Sequence, residues 1–280
     1  MRFGIITDSS SDLKDLPLDS SKAFFERIPL TLTIDGKDYV DDYNLVTKDM
    51  VDAMEQYDGK STSSCPNPDA YYNAYKKADN IFVITITSGL SGSYNSAMTA
   101  YNMIKEDTPD KNILVIDSLS TGPSLSLIAT KLAELINTSD NFNHIADTIT
   151  DYSKHVKLAF SLLSLDNLVK NGRVSKIVGA ITAVLGITVV GRASKEGTLE
   201  VLSKLRGVKK IPATIISEMK HNNYNGGKVF INHCLNEDGA NTMKEYILKD
   251  FPNANINILE TSGLDSFYAQ RGGLLVGYEV

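Results

Sequence analysis

Cysteine, histidine and long apolar runs are all scarce in this 280-residue chain, and each shortage removes a class of function. Two cysteines, Cys65 and Cys234, cannot build a disulfide framework, and their number suits a reducing, cytoplasmic compartment. No Cys-x-x-Cys or His-x-x-x-His spacing is present. His233-Cys234 is a close pair, but neighbours on a strand point to opposite faces, so no metal site is expected. The most apolar stretch, Ile177 to Val190, is too short to span a bilayer and contains Gly179 and Gly186, and the opening Met1-Arg2 does not resemble a signal peptide. Basic residues are outnumbered, 28 against 34 acidic, for a net charge of -6, which argues against nucleic acid as partner. No Gly-x-x-x-x-Gly-Lys-Ser/Thr exists and no Gly-x-Gly-x-x-Gly follows the first strand, so no nucleotide cofactor is expected.

What is present alternates. Apolar runs of strand length begin at Phe3, Ile81 and Asn112, and amphipathic helices follow over Tyr94 to Ile104 and Leu125 to Ile136. Ile28 to Ile34 reads as an alternating strand, Asp35-Gly36 as a hairpin turn and Lys37 to Val40 as the return. Thr47 starts a helix that stops at Gly59, and Pro68-Asp69 opens another. Strand–helix alternation predicts a parallel sheet with covering helices over residues 1–155, with the hairpin segment at about 28–41. The second half, residues 156–280, reads as another α/β unit with a mixed sheet. Its strands lie at Val156 to Leu163, Leu199 to Leu205, Lys228 to His233, Ile256 to Leu259 and Leu274 to Tyr278. The fold class is therefore α/β with two units, and a cleft between them is the natural place for a ligand.

Ligands of parallel sheets sit beyond the carboxyl ends of the strands, so Asp8-Ser9-Ser10, Ser88 to Ser93 and Asp117-Ser118 should share one rim. Hydroxyl-rich loops at Ser61 to Ser64 and Ser88 to Ser93 both precede helices. Hydroxyls and free N–H groups at a helix start hold a carboxylate without a full counter-charge; ordinary helix capping explains the same residues. Gly89-Leu90-Ser91-Gly92-Ser93 falls one glycine short of a nucleophile elbow, and His144, His155, His221 and His233 show no acidic partner pattern. Three of them read as surface residues, with His233 ending a strand.

Phe3 to Leu13 (Phe-Gly-Ile-Ile-Thr-Asp-Ser-Ser-Ser-Asp-Leu) resembles the opening of the DegV family. Ile28-Pro-Leu30 with Asp38-Tyr39 and Asp41, the loop Thr62 to Pro68, Leu90 to Ala97, Leu165 to Lys176 and Lys204 to Gly207 are similar to later blocks of that family, in its order. The resemblance implies a non-enzymatic, two-domain α/β protein without a cofactor that binds one long-chain fatty acid in a buried tunnel. It further implies presentation of the carboxylate to a separate fatty acid kinase. By resemblance Ser91 is the carboxylate-binding serine. Its partner is Thr62 if the loop is aligned from the left, or Ser63 if aligned from Pro66. Arg173 matches an arginine implicated in kinase contact and phosphoryl transfer; its plainer reading is a helix C-terminal arginine meeting the dipole. Where many members carry a histidine near the C-terminus, this chain has Tyr268-Ala-Gln-Arg-Gly-Gly273, so Tyr268 or Arg271 is the candidate substitute. Small residues Gly179, Ala180, Ala183 and Gly186 are candidates to line the tunnel, or simply to pack the core. A Ser91-dependent hydrolase or transferase, and a lipid-storage or regulatory module without a kinase, are the competing functions.

Overall fold

The fold follows from which strands are buried on both faces. In the computed structural model, which describes residues 2–174 and 187–280, β1 (Phe3–Asp8) and β6 (Asn80–Thr85) are buried at every position. They form the centre of a four-stranded, wholly parallel sheet, as near-continuous apolar runs require. β2 (Ala23–Ile28) and β7 (Asn112–Asp117) are its half-exposed edges. The expected strand over Ile28 to Ile34 is split. β2 ends at Ile28; Pro29 follows, and β3 (Thr31–Ile34) enters a different, three-stranded antiparallel sheet with β4 (Lys37–Val40) and β5 (Thr62–Ser64). β2 escapes a periodicity reading because Glu26 and Arg27 interrupt its apolar run at a sheet edge, where Glu26 pairs with Lys77 in solvent. β5 is a correction as well: it reads as loop because three small hydroxyl residues carry no strand signal of their own.

Nine helices are described. α1 (Thr47–Glu55), α2 (Pro68–Tyr75) and α3 (Ser93–Asp107) lie in the first half; α2 has Pro68 in its first turn and the Asn67 side chain accepting from the Ala70 N–H. α4 (Pro123–Thr138) is buried at every position from Pro123 to Ala129, an all-round apolar helix that must lie between two layers. One side packs on β1 and β6; the other packs on strands of the second half. α5 (Phe142–Lys154), unmarked by the sequence reading, is a separate helix capped by Asn141. The expected boundary at 155/156 falls between its end and β8 (Val156–Leu162).

The second half is a six-stranded mixed sheet, as expected. α6 (Asp166–Lys170) follows β8; then come β9 (Ile187–Ala193), β10 (Leu199–Arg206), α7 (Ile211–His221), β11 (Lys228–His233), α8 (Glu237–Asp250), β12 (Asn255–Glu260), α9 (Gly263–Ala269) and β13 (Leu274–Glu279). The strand order is β10-β9-β8-β13-β11-β12, with only β11 and β12 parallel. Of the apolar stretch Ile177 to Val190, only β9 lies within the described residues; Gly179, Ala180, Ala183 and Gly186 lie outside them. Between the two main sheets, one face of β8 (Leu158, Phe160, Leu162) meets Leu30, Leu32, Ile86, Leu264 and Leu275 in one apolar cluster.

Candidate functional site

The three polar loops do meet on one rim. The Asp8 side chain accepts from the Ile86 N–H at 2.8 Å, and Asp117 accepts from the Ser88 N–H at 3.1 Å, so the carboxyl ends of β1, β6 and β7 are tied together. The chain after Asp8 makes a single 3-10 turn, Ser9–Ser11; Asp12, left-handed at φ 56°, ends it and turns its carboxylate inward, where Asn232 donates to it.

Under this rim lies a cavity of about 280 Å³ lined by residues of both halves. Its walls are leucines and other apolar side chains, among them Leu30, Ile86, Phe160, Leu162 and Leu275. Its polar end holds Ser63, Cys65, Ser91, Arg173 and Tyr268, all at least partly exposed. Thr121 and the buried Asp265 also line it.

Ser91 sits two residues before the first residue of α3. Its Oγ lies 3.0 Å from the Ser93 Oγ and accepts from the Ser93 N–H at 3.3 Å. These hydroxyls therefore gather at the positive end of a 15-residue helix. Strand register separates Thr62 from Ser63. In β5, Ser63 pairs with buried Leu32 and Thr62 with Thr33, and directly opposed residues share a face. Ser63 lines the cavity, as does Ser64 at the end of the strand, while Thr62 is exposed on the outer face and does not line it. The Ser63 Oγ is 2.7 Å from the Tyr268 Oη, which brings Tyr268 to the hydroxyl cluster. Arg271 points elsewhere: it forms ion pairs with Asp52 and Glu55 on the α1 surface.

Arg173 is set by local backbone geometry. Gly172, at φ 71°, donates to the Val169 carbonyl at 3.0 Å, and the Arg173 N–H donates to the Leu168 carbonyl at 2.8 Å. These two bonds make the glycine-terminated helix end known as the Schellman motif, which fixes where the chain leaves α6. The guanidinium then donates from Nε to the Leu90 carbonyl at 2.9 Å and from Nη1 to the Asn171 carbonyl at 2.6 Å. The arginine meets the carbonyl end of its helix and also clasps the residue before Ser91. Asn171 and Asn167 complete the lacing, donating to the carbonyls of Ser61 and Phe267.

Four buried carboxyl groups surround this region: Asp8, which the sequence placed on the rim, and Asp12, Asp41 and Asp265, whose burial it did not reveal. Asp41 accepts from the N–H groups of Gly263 and Leu264 at 2.7 and 2.9 Å, capping α9. Asp12 accepts from the Ser262 N–H and from Asn232, both at 2.7 Å, and Asp265 accepts from Thr121 at 2.8 Å. Burial pushes Asp8 from the usual 3.8 up to about 6 and also raises Asp12 and Asp41. Burial, then the Asp12 charge beside it, raises Asp265 well above the usual carboxylate range. The available signal was Asp8-x-x-x-Asp12 itself, which also reads as loop and cap.

These shifts set a pH dependence. A carboxyl whose pKa is higher folded than unfolded binds its proton more tightly in the native state, so its contribution to stability falls as pH rises from about 4 through 6. Lowering the pH from about 7.5 to 5.5 should then stabilise the fold by about 1 kcal/mol through Asp8 alone, with the other three adding in the same direction. His233, lowered by burial, opposes this below its usual 6.5. Urea unfolding at the two pH values checks it; a lower midpoint at pH about 5.5 contradicts it.

Among the described residues, His144, His155 and His221 are exposed and His233 ends β11, and none lines the cavity with Ser91. No cluster of metal-binding side chains occurs among them, and no helix there is long and apolar enough to cross a membrane.

The family model described as "Uncharacterised protein, DegV family" matches residues 2–278. A DegV domain-containing protein of Streptococcus pyogenes serotype M3 is 46% identical over 280 residues, covering all of both chains. Among solved structures, the Streptococcus pneumoniae Fatty Acid Kinase (Fak) B3 protein loaded with linoleic acid is similar at TM-score 0.96 and 44% identity, covering 100% of both chains. A DegV family protein from Eubacterium eligens loaded with heptadecanoic acid is similar at TM-score 0.92 and 37% identity, covering 99% of each. With one model spanning nearly the whole chain and relatives matched end to end, this chain belongs to the DegV family.

Proposed function

We propose that this chain binds a long-chain fatty acid, with its tail in the apolar cavity and its carboxylate between Ser91 and Ser63, and presents that carboxylate to a separate fatty acid kinase. The observation that carries the reading is the division of one cavity into leucine-rich walls and a hydroxyl cluster at its exposed end. Hydroxyls and a helix N-terminus hold an anion by hydrogen bonds, and burial of the tail supplies most of the affinity. The fatty acids in the two similar structures support it. Tyr268, bonded to Ser63, takes the supporting place at the head group that a histidine holds in many relatives.

In the transfer step a carboxylate oxygen attacks the γ-phosphorus of ATP held by the kinase, ADP leaves, and an acyl phosphate remains on this protein. Arg173 at the cavity's edge is the residue to meet the added phosphate charge, with a guanidinium suited to two-point contact. The competing nucleophile reading for Ser91 lacks a base, since its described partners are the hydroxyl and amide of Ser93.

Mass spectrometry of lipid released from protein purified without added ligand tests the binding. About one long-chain fatty acid per chain is expected. A lipid-free protein that hydrolyses a test ester in a Ser91-dependent way overturns the reading. Mixing with a fatty acid kinase and ATP tests presentation: acyl phosphate forms, or the protein is a storage or regulatory module.

A further inference from the structure

We infer that Leu158 is the end wall of the acyl cavity and sets the longest chain it accepts; this rests on the fatty-acid reading above. Leu158, Phe160 and Leu162 occupy alternate positions of β8, so they share one face, and all three line the cavity. Leu162 is at the end of β8 that runs into α6 and Arg173, where the polar groups gather. Leu158 is four residues back, about 13 Å deeper along the strand. It is only 3% exposed.

The surroundings of Leu158 differ sharply in how much they can give. Gly277 of β13 lies directly opposite it in register. A Cβ on Gly277 would stand 2.8 Å from the Pro123 carbonyl carbon, so that flank is closed by the backbone at the start of α4. Elsewhere Leu158 borders a second space, a cleft of about 810 Å³ whose lining includes Asp117, Lys157, Lys195 and Glu218. Among the described residues Leu158 is the only one that lines both spaces. Among the described residues, this one side chain stands between an apolar cavity and a polar cleft. The methyl end of a bound chain stops there because going further would require displacing the leucine and entering a charged cleft.

Removing this wall should lengthen the preferred chain, and enlarging it should shorten the chain. Each methylene moved from water into apolar contact is worth about fourfold in affinity. Leu158→Ala vacates room for about two methylenes, so the preference for a chain two carbons longer than the wild-type optimum should rise about 15-fold. Leu158→Phe should move the optimum to shorter chains, and the volume-conserving Leu158→Met should leave it in place.

The test is competition binding of a series of saturated free fatty acids to the full chain, with thermal melting as a check on folding. If Leu158→Ala does not fold, Leu158→Phe and Leu158→Met carry the comparison. An optimum that moves down with Phe, and up with Ala when that variant folds, supports the inference. A folded Phe or Ala variant that keeps the wild-type optimum overturns it. Absence of binding by the wild-type protein overturns the fatty-acid reading instead, and the inference with it.

Discussion

Replacing Ser91 with alanine is expected to weaken fatty-acid binding about 10- to 150-fold, the worth of one hydrogen bond to a charged group. The Ser91 hydroxyl is already oriented by Ser93, 3.0 Å away, so little ordering is needed when a carboxylate arrives. The loss belongs to the head group and should be similar for all chain lengths, unlike the effect of changing Leu158. Ser63→Ala should weaken binding in the same way, because its side chain lines the cavity, whereas Thr62→Ala should leave it nearly unchanged. Tyr268→Phe, which removes the hydroxyl 2.7 Å from Ser63, should give a smaller loss. Displacement of a fluorescent fatty acid measures all four. Full affinity in Ser91→Ala, or equal losses at Thr62 and Ser63, would contradict the arrangement.

Replacing Asp41 with alanine should destabilise the protein by about 3–5 kcal/mol, a large share of the roughly 5–15 kcal/mol available to a domain. Asp41 is 1% exposed and its two oxygens accept from the first two N–H groups of α9. Alanine leaves both donors buried without partners, at about 1–3 kcal/mol each. It also removes the negative charge near Arg27, 7% exposed, whose positive charge offsets part of the burial cost of Asp41. Asp41→Asn should cost less, since the amide oxygen still accepts one bond. Because α9 carries Leu264, Asp265 and Tyr268 to the cavity, fatty-acid affinity should fall along with the denaturation midpoint. A folded Asp41→Ala protein of wild-type stability would show that α9 does not depend on this cap.

Much of the outline is legible without coordinates because its causes are local. The apolar runs of β1 and β6 need both faces covered, which only a sheet under helices supplies. Pro68, Asn67 and Gly172 each act within a turn of their own position, so α2 and the end of α6 are readable by inspection. Ser91 is legible for the same reason, since the start of a helix gathers hydroxyls and free N–H groups wherever it lies. β2 and β5 are hidden because their stability comes from neighbours far along the chain: β2 from β1, and β5 from β3.

The site was decided by tertiary structure wherever two local readings were equal. Thr62 and Ser63 are adjacent hydroxyls, and only pairing with β3 places one inward and the other outward, since a strand's side chains alternate. Tyr268 and Arg271 are three residues apart; the cavity receives Tyr268, while Asp52 and Glu55 of α1 hold Arg271 at the surface. Asp12 and Asp265 look like ordinary polar residues until the 252 residues between them fold and burial raises the pKa of both. By itself the sequence determined the alternation of strands and helices, the chemistry of the rim loops and the family blocks. Which of those groups face one another, and which apolar side chains line the cavity, only the packing of one sheet against the other decided, because register and burial are properties of pairs of segments and of no single one.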